Sequence, residues 1–283
     1  MHGDTPVTLY KDSVALVTGG GSGIGRALSL ELAGRGAIVH VTDINPESAQ
    51  RVARECGSLA TAACLDVCDG GAVSQCVEEL ADQHSRIDFI FNNAGIGVSG
   101  ETFEIPLAAW ERVVDINIRG VIHGVHAAYP IMVKQGHGHI VNTASAAGLM
   151  PVPLLTPYAM SKHAVVGLSR SLRAEAAPYG VHVNVLCPTA IDTPLLDAEQ
   201  IEGLDKMPWK PDFRRYLSSM AGPPYPAHKL ATEALDAISR NEGIIVIPKM
   251  GRFKAIMGAL FPGKVEEQTG DAAIAERKFR THT

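Results

Sequence analysis

The chain has 283 residues, of which 46% are hydrophobic and 19% are charged. This composition supports a full hydrophobic core and excludes a disordered or fibrous protein. The formal net charge is −5 and the lysines and arginines are scattered, so the chain lacks the basic face on which nucleic-acid affinity depends, and we expect no nucleic-acid partner.

The first predicted elements are a strand at 14–17, a glycine-rich turn and an amphipathic helix at 26–35. The turn reads Thr18-Gly19-Gly20-Gly21-Ser22-Gly23-Ile24-Gly25. Glycines let the backbone approach a pyrophosphate, and the unpaired amides at a helix N-terminus favour its negative charge. In a strand-turn-helix context the pattern predicts a dinucleotide site, the alternative being a purely structural turn.

The second predicted strand, at 37–42, is followed by Asp43, eighteen residues beyond Gly25. A carboxylate there can accept hydrogen bonds from both adenosine ribose hydroxyls and would repel a 2′-phosphate. Ser22 and Ile44 are uncharged, so no arginine or lysine is evident for the extra phosphate, and we predict NAD as the cofactor. Asp43 is also a candidate cap for the helix that opens at Pro46, and the two roles do not exclude each other.

Helices at 46–56 and 71–84 enclose a third strand at 61–65. Asp66 and Val67 close that strand, and we expect the carboxylate to reach the adenine amino group. A fourth apolar strand starts at 89 and leads into the turn Asn92-Asn93-Ala94-Gly95. The buried asparagines of this turn, Asn92 and Asn93, either steady the sheet or line the cofactor groove.

Residues 107–135 have helical periodicity with a wide apolar surface, interrupted by Asn117. A buried amide needs hydrogen-bond partners, so we predict a helix bend or a bound water there. Further strands are predicted at 138–145, 181–186 and 243–247. Alternating strands and helices with no linker predict one α/β domain, a Rossmann-like, doubly wound, mainly parallel seven-stranded sheet with helices on both faces.

The candidate chemistry lies in Tyr158-Ala159-Met160-Ser161-Lys162, with Ser145 thirteen positions before the tyrosine. On a helix Lys162 lies one turn after Tyr158, where its ammonium would lower the tyrosine pKa and make a general base. Ser145 ends a buried strand, at the sheet edge where ligands bind. The plain alternative is a surface Tyr and Lys pair.

Two stretches favour a lipophilic, fairly bulky substrate. Residues 148–155, between Ser145 and Tyr158, are apolar, and the insertion at 190–225 has the length of a functional lid. The residues expected to line this lid are Leu195, Leu196, Met207, Trp209, Phe213, Tyr216 and Met220. Arg214 and Arg215 are candidate partners for an acidic ligand, so an acidic substrate is not excluded. The alternative to a substrate-binding role is that these apolar residues pack the lid against the core.

These motifs resemble the short-chain dehydrogenase/reductase family over about 13–248. The resemblance implies hydride exchange between NAD and an alcohol or ketone, with Tyr158 as acid or base and Ser145 orienting the oxygen. Lys162 would also bind the nicotinamide ribose, and Asn117 would hold a relay water. The implied cofactor-binding residues are Gly19, Ser22, Gly23, Ile24, Gly25, Asp43, Asp66, Val67, Asn92, Tyr158, Lys162, Pro188, Ile191 and Thr193.

Thr189 stands where the family usually has glycine, which puts the backbone beside the nicotinamide in doubt because threonine is a poor occupant of positive φ. The C-terminal extension at 249–283 matches nothing in the family. Its segment 252–261 is basic and then apolar, and we favour a packing helix over membrane contact. The other activities considered on this fold are a dinucleotide sensor or scaffold and an NAD-assisted epimerase or dehydratase.

Apolar helical surfaces at 107–135 and 157–177 suggest a homo-oligomer, a dimer or tetramer. No apolar run approaches the roughly 18 residues needed to span a bilayer, and residues 1–12 contain no apolar segment typical of a leader. Of the five cysteines, Cys64 and Cys68 are close in sequence, but no second pair of cysteines or histidines stands at the spacing of a zinc site. We therefore predict buried free thiols, no metal and a cytoplasmic location.

Overall fold

The computed structural model describes residues 9–197 and 208–280, apart from the side chain of Lys254. The strands are β1 (Val14–Thr18), β2 (Ile38–Asp43), β3 (Ala60–Cys64), β4 (Phe89–Asn92), β5 (Gly138–Thr143), β6 (Val181–Pro188), β7 (Ile191–Asp192), β8 (Tyr225–Pro226) and β9 (Ile244–Ile247). The helices are α1 (Gly23–Gly34), α2 (Pro46–Cys56), α3 (Gly70–His84), α4 (Leu107–Val114), α5 (Gly120–Gln135), α6 (Thr156–Ala176), α7 (Phe213–Ala221), α8 (Ala227–Ser239), α9 (Met250–Leu260) and α10 (Pro262–Arg277).

Seven strands form one parallel sheet in the order β3-β2-β1-β4-β5-β6-β9. Strand β1 pairs with β2 on one side and with β4 on the other. The direction of winding reverses between β1 and β4, which opens a crevice at the carboxyl edge where ligands bind in doubly wound sheets. The predicted fold class is confirmed.

Helices cover both faces of this sheet, and the residues of β1 contribute alternately to the two cores. Ala15 and Val17 pack in the core with α1, α2 and α8. Val14 and Leu16 pack in the core with α3 and α5. Because both faces are buried, the strand is a continuous apolar run, typical of parallel sheets.

Two element ends differ from the sequence prediction near the dinucleotide crevice. Helix α1 begins at Gly23, so the last glycines of the turn form its first turn. Helix α2 is capped by Asn45, whose side chain accepts a hydrogen bond from the Ser48 amide at 2.9 Å. The prediction that Asp43 caps this helix is therefore wrong, and Asp43 is the last residue of β2.

The insertion at 190–225 contains helix α7 and a short ladder between β7 and β8. Part of the predicted lid, including Met207, lies outside the described residues. The tail forms two helices, α9 and α10, and the predicted packing segment at 252–261 lies mostly in α9. Among the described helices, none is both long and apolar enough to cross a membrane.

The five cysteines are free, but only one is fully buried. Cys187 lies in the core, Cys64 is exposed and the other three are partly exposed. The prediction of buried thiols is therefore wrong for Cys64, which ends the edge strand β3, where only one side of the strand is paired. Within the described ranges, no group of three or more potential metal ligands is clustered.

Candidate active site

Tyr158, Lys162 and Ser145 converge at the carboxyl edge of the sheet. Helix α6 begins at Thr156, with a proline in its first turn, so Tyr158 and Lys162 lie on successive turns. The Lys162 Nζ lies 5.5 Å from the centroid of the Tyr158 ring and donates to the Thr143 carbonyl at 2.9 Å. Ser145 follows β5, and its hydroxyl accepts from the Ala147 amide at 3.1 Å and donates to the Pro188 carbonyl at 3.4 Å.

Burial controls the protonation of this group. It raises the pKa of Tyr158 above its ordinary value, and the nearby Ser145 hydroxyl opposes that shift. Burial also lowers the pKa of Lys162 to about 8. The predicted net lowering of the Tyr158 pKa is therefore wrong for the unliganded chain, because desolvation of the phenolate dominates. In this arrangement Tyr158 is a protonated phenol at neutral pH.

Asn117 lies inside a π-helical turn, Asp115–Arg119, between α4 and α5. It is fully buried, and its amide is satisfied by protein groups. The side chain accepts from the Ile96 amide at 2.9 Å and donates to the Ile96 carbonyl at 2.9 Å and the Ser161 hydroxyl at 3.0 Å. A π-helical turn therefore interrupts the α-helical pattern at Asn117, whereas the relay water stays a prediction.

Asn92 and Asn93 point to different places, although they are neighbours in sequence. Asn92 is buried and donates to the Asn142 side chain at 2.9 Å, which joins β4 to β5. Asn93 lines the cleft and donates to the Thr18 carbonyl at 3.1 Å. Asn92 therefore steadies the sheet, and its assignment as a cofactor-binding side chain is corrected in favour of Asn93.

The glycine turn forms a backbone cradle with no room for side chains. A Cβ on Gly19 would lie 2.8 Å from the Ala94 Cα, and one on Gly25 would collide with the Gly19 carbonyl. Gly19 and Gly23 also have positive φ, of 61° and 52°. This cradle at the N-terminus of α1 fits the pyrophosphate of a dinucleotide. Gly19, Ser22, Gly23 and Ile24 line the cleft, while Gly25 shapes the turn behind them.

Asp43 lines the cleft. Its carboxylate accepts from the Gly21 amide at 2.9 Å and the Asn45 amide at 3.0 Å. Arg51 of α2 donates to the Gly21 carbonyl at 3.1 Å. The inference that no cation lies near this position is therefore corrected, because α2 carries Arg51 back to the turn.

Asp66 and Val67 line the same cleft, beyond the end of β3. The carboxylate of Asp66 accepts from the Cys68 amide at 2.9 Å, which fixes its direction. At the opposite end of the cofactor region lie Pro188, Ile191 and Thr193. Thr189 has no positive φ and donates its amide to the Ile247 carbonyl at 2.9 Å, which removes the concern about threonine at the family glycine position.

The cleft has a volume of about 970 Å³ and continues from the dinucleotide cradle past Tyr158 into an apolar chamber. One wall is the loop that contains Val152 and Leu155, and the other is the lid with Leu196 and Phe213. Tyr216 braces the two walls, donating its hydroxyl to the Pro153 carbonyl at 2.9 Å. Arg214 and Arg215, the candidate anchors for an acidic ligand, are both engaged in ion pairs.

The chamber has a third wall that the sequence did not predict, supplied by α9 and α10. The C-terminal residues that line it are Phe253, Met257, Phe261, Lys264, Val265, Gln268, Thr269 and Ala272. Glu276 of α10 is buried and accepts from Arg215 of the lid at 2.6 Å and from the Asp212 amide at 3.0 Å. No sequence signal marks these contacts, since each partner is more than 60 residues away.

A phosphate-binding cradle, an acidic residue after β2, and a tyrosine beside a lysine at the sheet edge together define a dinucleotide-dependent oxidoreductase. Comparison with known proteins agrees with this class of enzyme.

A family model described as short chain dehydrogenase matches residues 13–202. Levodione reductase of Leifsonia aquatica is 39% identical over 201 residues, covering 68% of this chain and 74% of that protein. Cyclohexanol dehydrogenase of Acinetobacter sp. (strain SE19) is 38% identical over 191 residues, covering 66% and 76%.

Solved structures show the same likeness. A short chain dehydrogenase/reductase from Burkholderia phymatum in complex with NAD superposes with a TM-score of 0.80 at 30% identity, covering 88% of this chain and 93% of that chain. A structure of levodione reductase gives a TM-score of 0.75 at 29% identity, covering 86% and 98%. The chain belongs to the short-chain dehydrogenase/reductase family, and it is an NAD-dependent oxidoreductase of the alcohol dehydrogenase and ketone reductase type.

Proposed function

We propose that the substrate is a bulky, lipophilic secondary alcohol or ketone whose oxygen binds between Ser145 and Tyr158. The observation that carries this proposal is the position of Tyr158, at the junction of the dinucleotide cradle and the apolar chamber. A substrate carbon placed there adjoins the cofactor on one side and apolar walls on the other. Names of relatives agree with an alcohol or ketone, since levodione and cyclohexanol are a diketone and a secondary alcohol.

The proposed roles follow from the protonation of the site. In ketone reduction the Tyr158 phenol donates its proton to the substrate oxygen, and in alcohol oxidation the phenolate takes the hydroxyl proton. Ser145 hydrogen-bonds the same oxygen and orients it. The ammonium of Lys162 stabilises the phenolate in the oxidative direction and binds the nicotinamide ribose. NADH supplies the hydride for reduction, and NAD accepts it for oxidation.

The apolar walls support a substrate without a strong negative charge in the chamber. Both lid arginines are paired with carboxylates, while Lys264 and Gln268 lie on the C-terminal wall. Each methylene that a substrate buries against these walls contributes about 0.8 kcal/mol. We therefore expect KM to fall as the apolar part of the substrate grows.

The test is a substrate series graded by chain length and ring count, with NADH absorbance as the readout. Tyr158→Phe should lower turnover by about 100-fold or more while NAD binding is kept. The matched control is Tyr129→Phe on α5, a residue that does not line the cleft. A preference for small polar sugars over apolar alcohols would overturn the substrate class, and undiminished turnover in Tyr158→Phe would overturn the assigned role.

We also propose a cytoplasmic homo-oligomer that pairs through α5 and α6. Ile122 and Met160 on these helices are 43% and 40% exposed, and burying them in a partner would remove apolar surface from water. Free cysteines suit a reducing compartment. Sedimentation should show a species larger than the 30 kDa monomer, and Ile122→Glu should lower the fraction of protein in that species. A native protein that sediments only as a monomer at micromolar concentration would contradict the proposal.

A further inference from the structure

Helix α9 presents an apolar face that no described part of the chain covers. Its large side chains are among the most exposed apolar groups of the molecule, and they recur every three or four residues on one side of the helix. Their exposed fractions are Met250 77%, Phe253 67%, Ile256 49% and Leu260 65%, and Phe261 follows at 48%. Of the described residues of α9, only Gly251 is buried.

Basic residues dominate the segment that forms this face. Residues 243–265 contain four basic residues, Lys249, Arg252, Lys254 and Lys264, and no acidic residue, in a chain whose net charge is −5, and Glu266 and Glu267 follow on α10. Lys249 and Arg252 are exposed, and no carboxylate of 9–197 or 208–280 forms an ion pair with either. Exposed cations beside exposed aliphatic and aromatic groups are the pattern of a helix that lies in a membrane interface.

We propose that α9 docks the protein on an anionic lipid surface, with the apolar face in the acyl boundary and the basic side chains at the headgroups. Charge favours this occupant over a second copy of the chain. A two-fold interface centred on α9 would place the basic tract against itself, where like charges repel, whereas an anionic bilayer attracts each cation. Docking of this kind needs no membrane-spanning helix.

The docking face is continuous with the active-site cleft, because Phe253, Met257 and Phe261 of the same segment line the chamber. An apolar substrate dissolved in the bilayer therefore reaches the chamber through α9 and α10 without crossing water. This route rests on the proposed lipophilic substrate, whereas the docking does not.

The test is cosedimentation of the full chain with vesicles, measured without substrate so that its outcome is independent of the proposed reaction. Vesicles of equal parts phosphatidylcholine and phosphatidylglycerol should bind the protein, and phosphatidylcholine alone should bind it much less. Raising the salt from about 0.1 M to about 1 M should weaken the binding, because screening shortens the reach of the charges. Each variant is first checked for NAD binding as a measure of folding.

Two matched pairs of variants locate the surface. Lys249→Glu/Arg252→Glu should weaken binding roughly tenfold or more, whereas Lys229→Glu/Arg54→Glu, with the same change of charge on α8 and α2, should not. Leu260→Ser should also weaken binding. Leu59→Ser should not, because Leu59 is a 46% exposed leucine in the turn between α2 and β3. Neither Met250 nor Leu260 lines the cleft, so Met250→Ser/Leu260→Ser should lose vesicle binding and keep turnover of a water-soluble alcohol.

Three outcomes would overturn the proposal. The first is that the protein does not bind the anionic vesicles, and the second is that the test and control variants lose vesicle binding equally. The third is that the protein does not bind vesicles but self-associates in a concentration-dependent way, and that Leu260→Ser abolishes this association. That result would show that a second copy of the chain covers the face. Failure of the substrate series alone, with vesicle binding intact, would reject only the substrate class.

Discussion

Arg277 of α10 donates two hydrogen bonds to Glu101, at 2.6 and 2.9 Å, across 176 residues of sequence. The Glu101 side chain is 10% exposed, and this pairing lowers the pKa of its carboxyl. Three residues further along, beyond the end of α10, Arg280 pairs with Glu104 at 2.6 Å. Together with the Glu276 contact to the lid, these pairs hold the C-terminal helix over the chamber.

Arg277→Met should loosen this wall and destabilise the fold. Glu101 would be left largely buried without its cation, which costs about 1–3 kcal/mol. KM for an apolar substrate should rise while the dissociation constant of NAD stays unchanged, since α10 does not touch the cradle. Urea unfolding and steady-state kinetics measure the two effects.

The control for this substitution is Arg26→Met, which breaks an exposed pair with Glu55 and should cost about 0–1 kcal/mol. The effect of Arg277→Met should also depend on pH. Because the folded pKa of Glu101 lies below its ordinary value, the stabilisation is present at neutral pH and is lost as the pH falls through the folded pKa. A stability difference that persisted unchanged in strong acid would contradict this account.

Asp43→Ala should narrow the preference for NAD over NADP. Removing a carboxylate from the site of the 2′-phosphate removes a repulsion of about 2–3 kcal/mol, equivalent to roughly 30- to 150-fold in affinity. Arg51 would then be the cation nearest the turn. We expect Asp43→Ala/Arg51→Gln to lose much of the gained NADP affinity, measured by fluorescence titration. Equal affinity of the native protein for both dinucleotides would show that Asp43 does not discriminate.

The strands were predictable because each central strand is buried on both faces and is therefore a continuous apolar run. The glycine turn was also predictable because its residues are contiguous in sequence, and the Tyr158 and Lys162 pair because the two residues lie one helical turn apart. Asn92 was harder, because a shift of one residue along a strand moves a side chain to the other face. Local sequence does not define which of two adjacent asparagines faces the cleft.

Other features depend on contacts between distant parts of the chain, which no local pattern records. The chamber wall formed by α10 requires Glu276 to reach Arg215, 61 residues away. The direction of the Tyr158 pKa depends on how deeply the fold buries the phenol, and sequence spacing alone suggested the opposite sign. Arg51 was missed because its approach to Gly21 depends on the path of α2.

Lys162→Met should stabilise the unliganded protein at neutral pH while abolishing turnover. Burial lowers the pKa of Lys162 from its ordinary 10.5 to about 8, so keeping this ammonium charged opposes folding below pH 8. The native protein should gain stability between about pH 8 and 10.5, where the folded state releases the proton first. We expect the variant to be more stable by about 1–3 kcal/mol at pH 7.

This gain should shrink as the pH approaches 10, which thermal unfolding across a pH series would measure. Lys229→Met, an exposed lysine on α8, is the matched control and should change stability by about 0.5 kcal/mol or less at every pH. A Lys162→Met variant less stable than the native protein at pH 7 would indicate that the hydrogen bond to Thr143 outweighs the burial of the charge.

Gly251→Ala tests whether Thr189, the threonine at the family glycine position, determines the position of the start of α9. A Cβ on Gly251 would lie 2.6 Å from the Thr189 Cγ2 and 3.1 Å from the Val246 Cγ1. The start of α9 would have to move, at a cost of about 1–3 kcal/mol. Thr189→Ser removes the closer methyl group, so Thr189→Ser/Gly251→Ala should recover much of this loss, and the double-mutant cycle should show a coupling of roughly 0.5–3 kcal/mol.

Gly258→Ala is the control for this cycle, because its Cβ would meet no atom closer than 3.8 Å. On the same helix it should be neutral or stabilising by up to about 1 kcal/mol, as expected from helix propensity. Denaturant unfolding of the four proteins of the cycle and of this control measures the effect. Additive losses from Thr189→Ser and Gly251→Ala would show that the threonine methyl does not set the position of α9. Recovery of stability in Thr189→Ser/Gly251→Ala would instead show that the Thr189 methyl group packs against the start of α9, a contact that the usual family glycine at this position could not make.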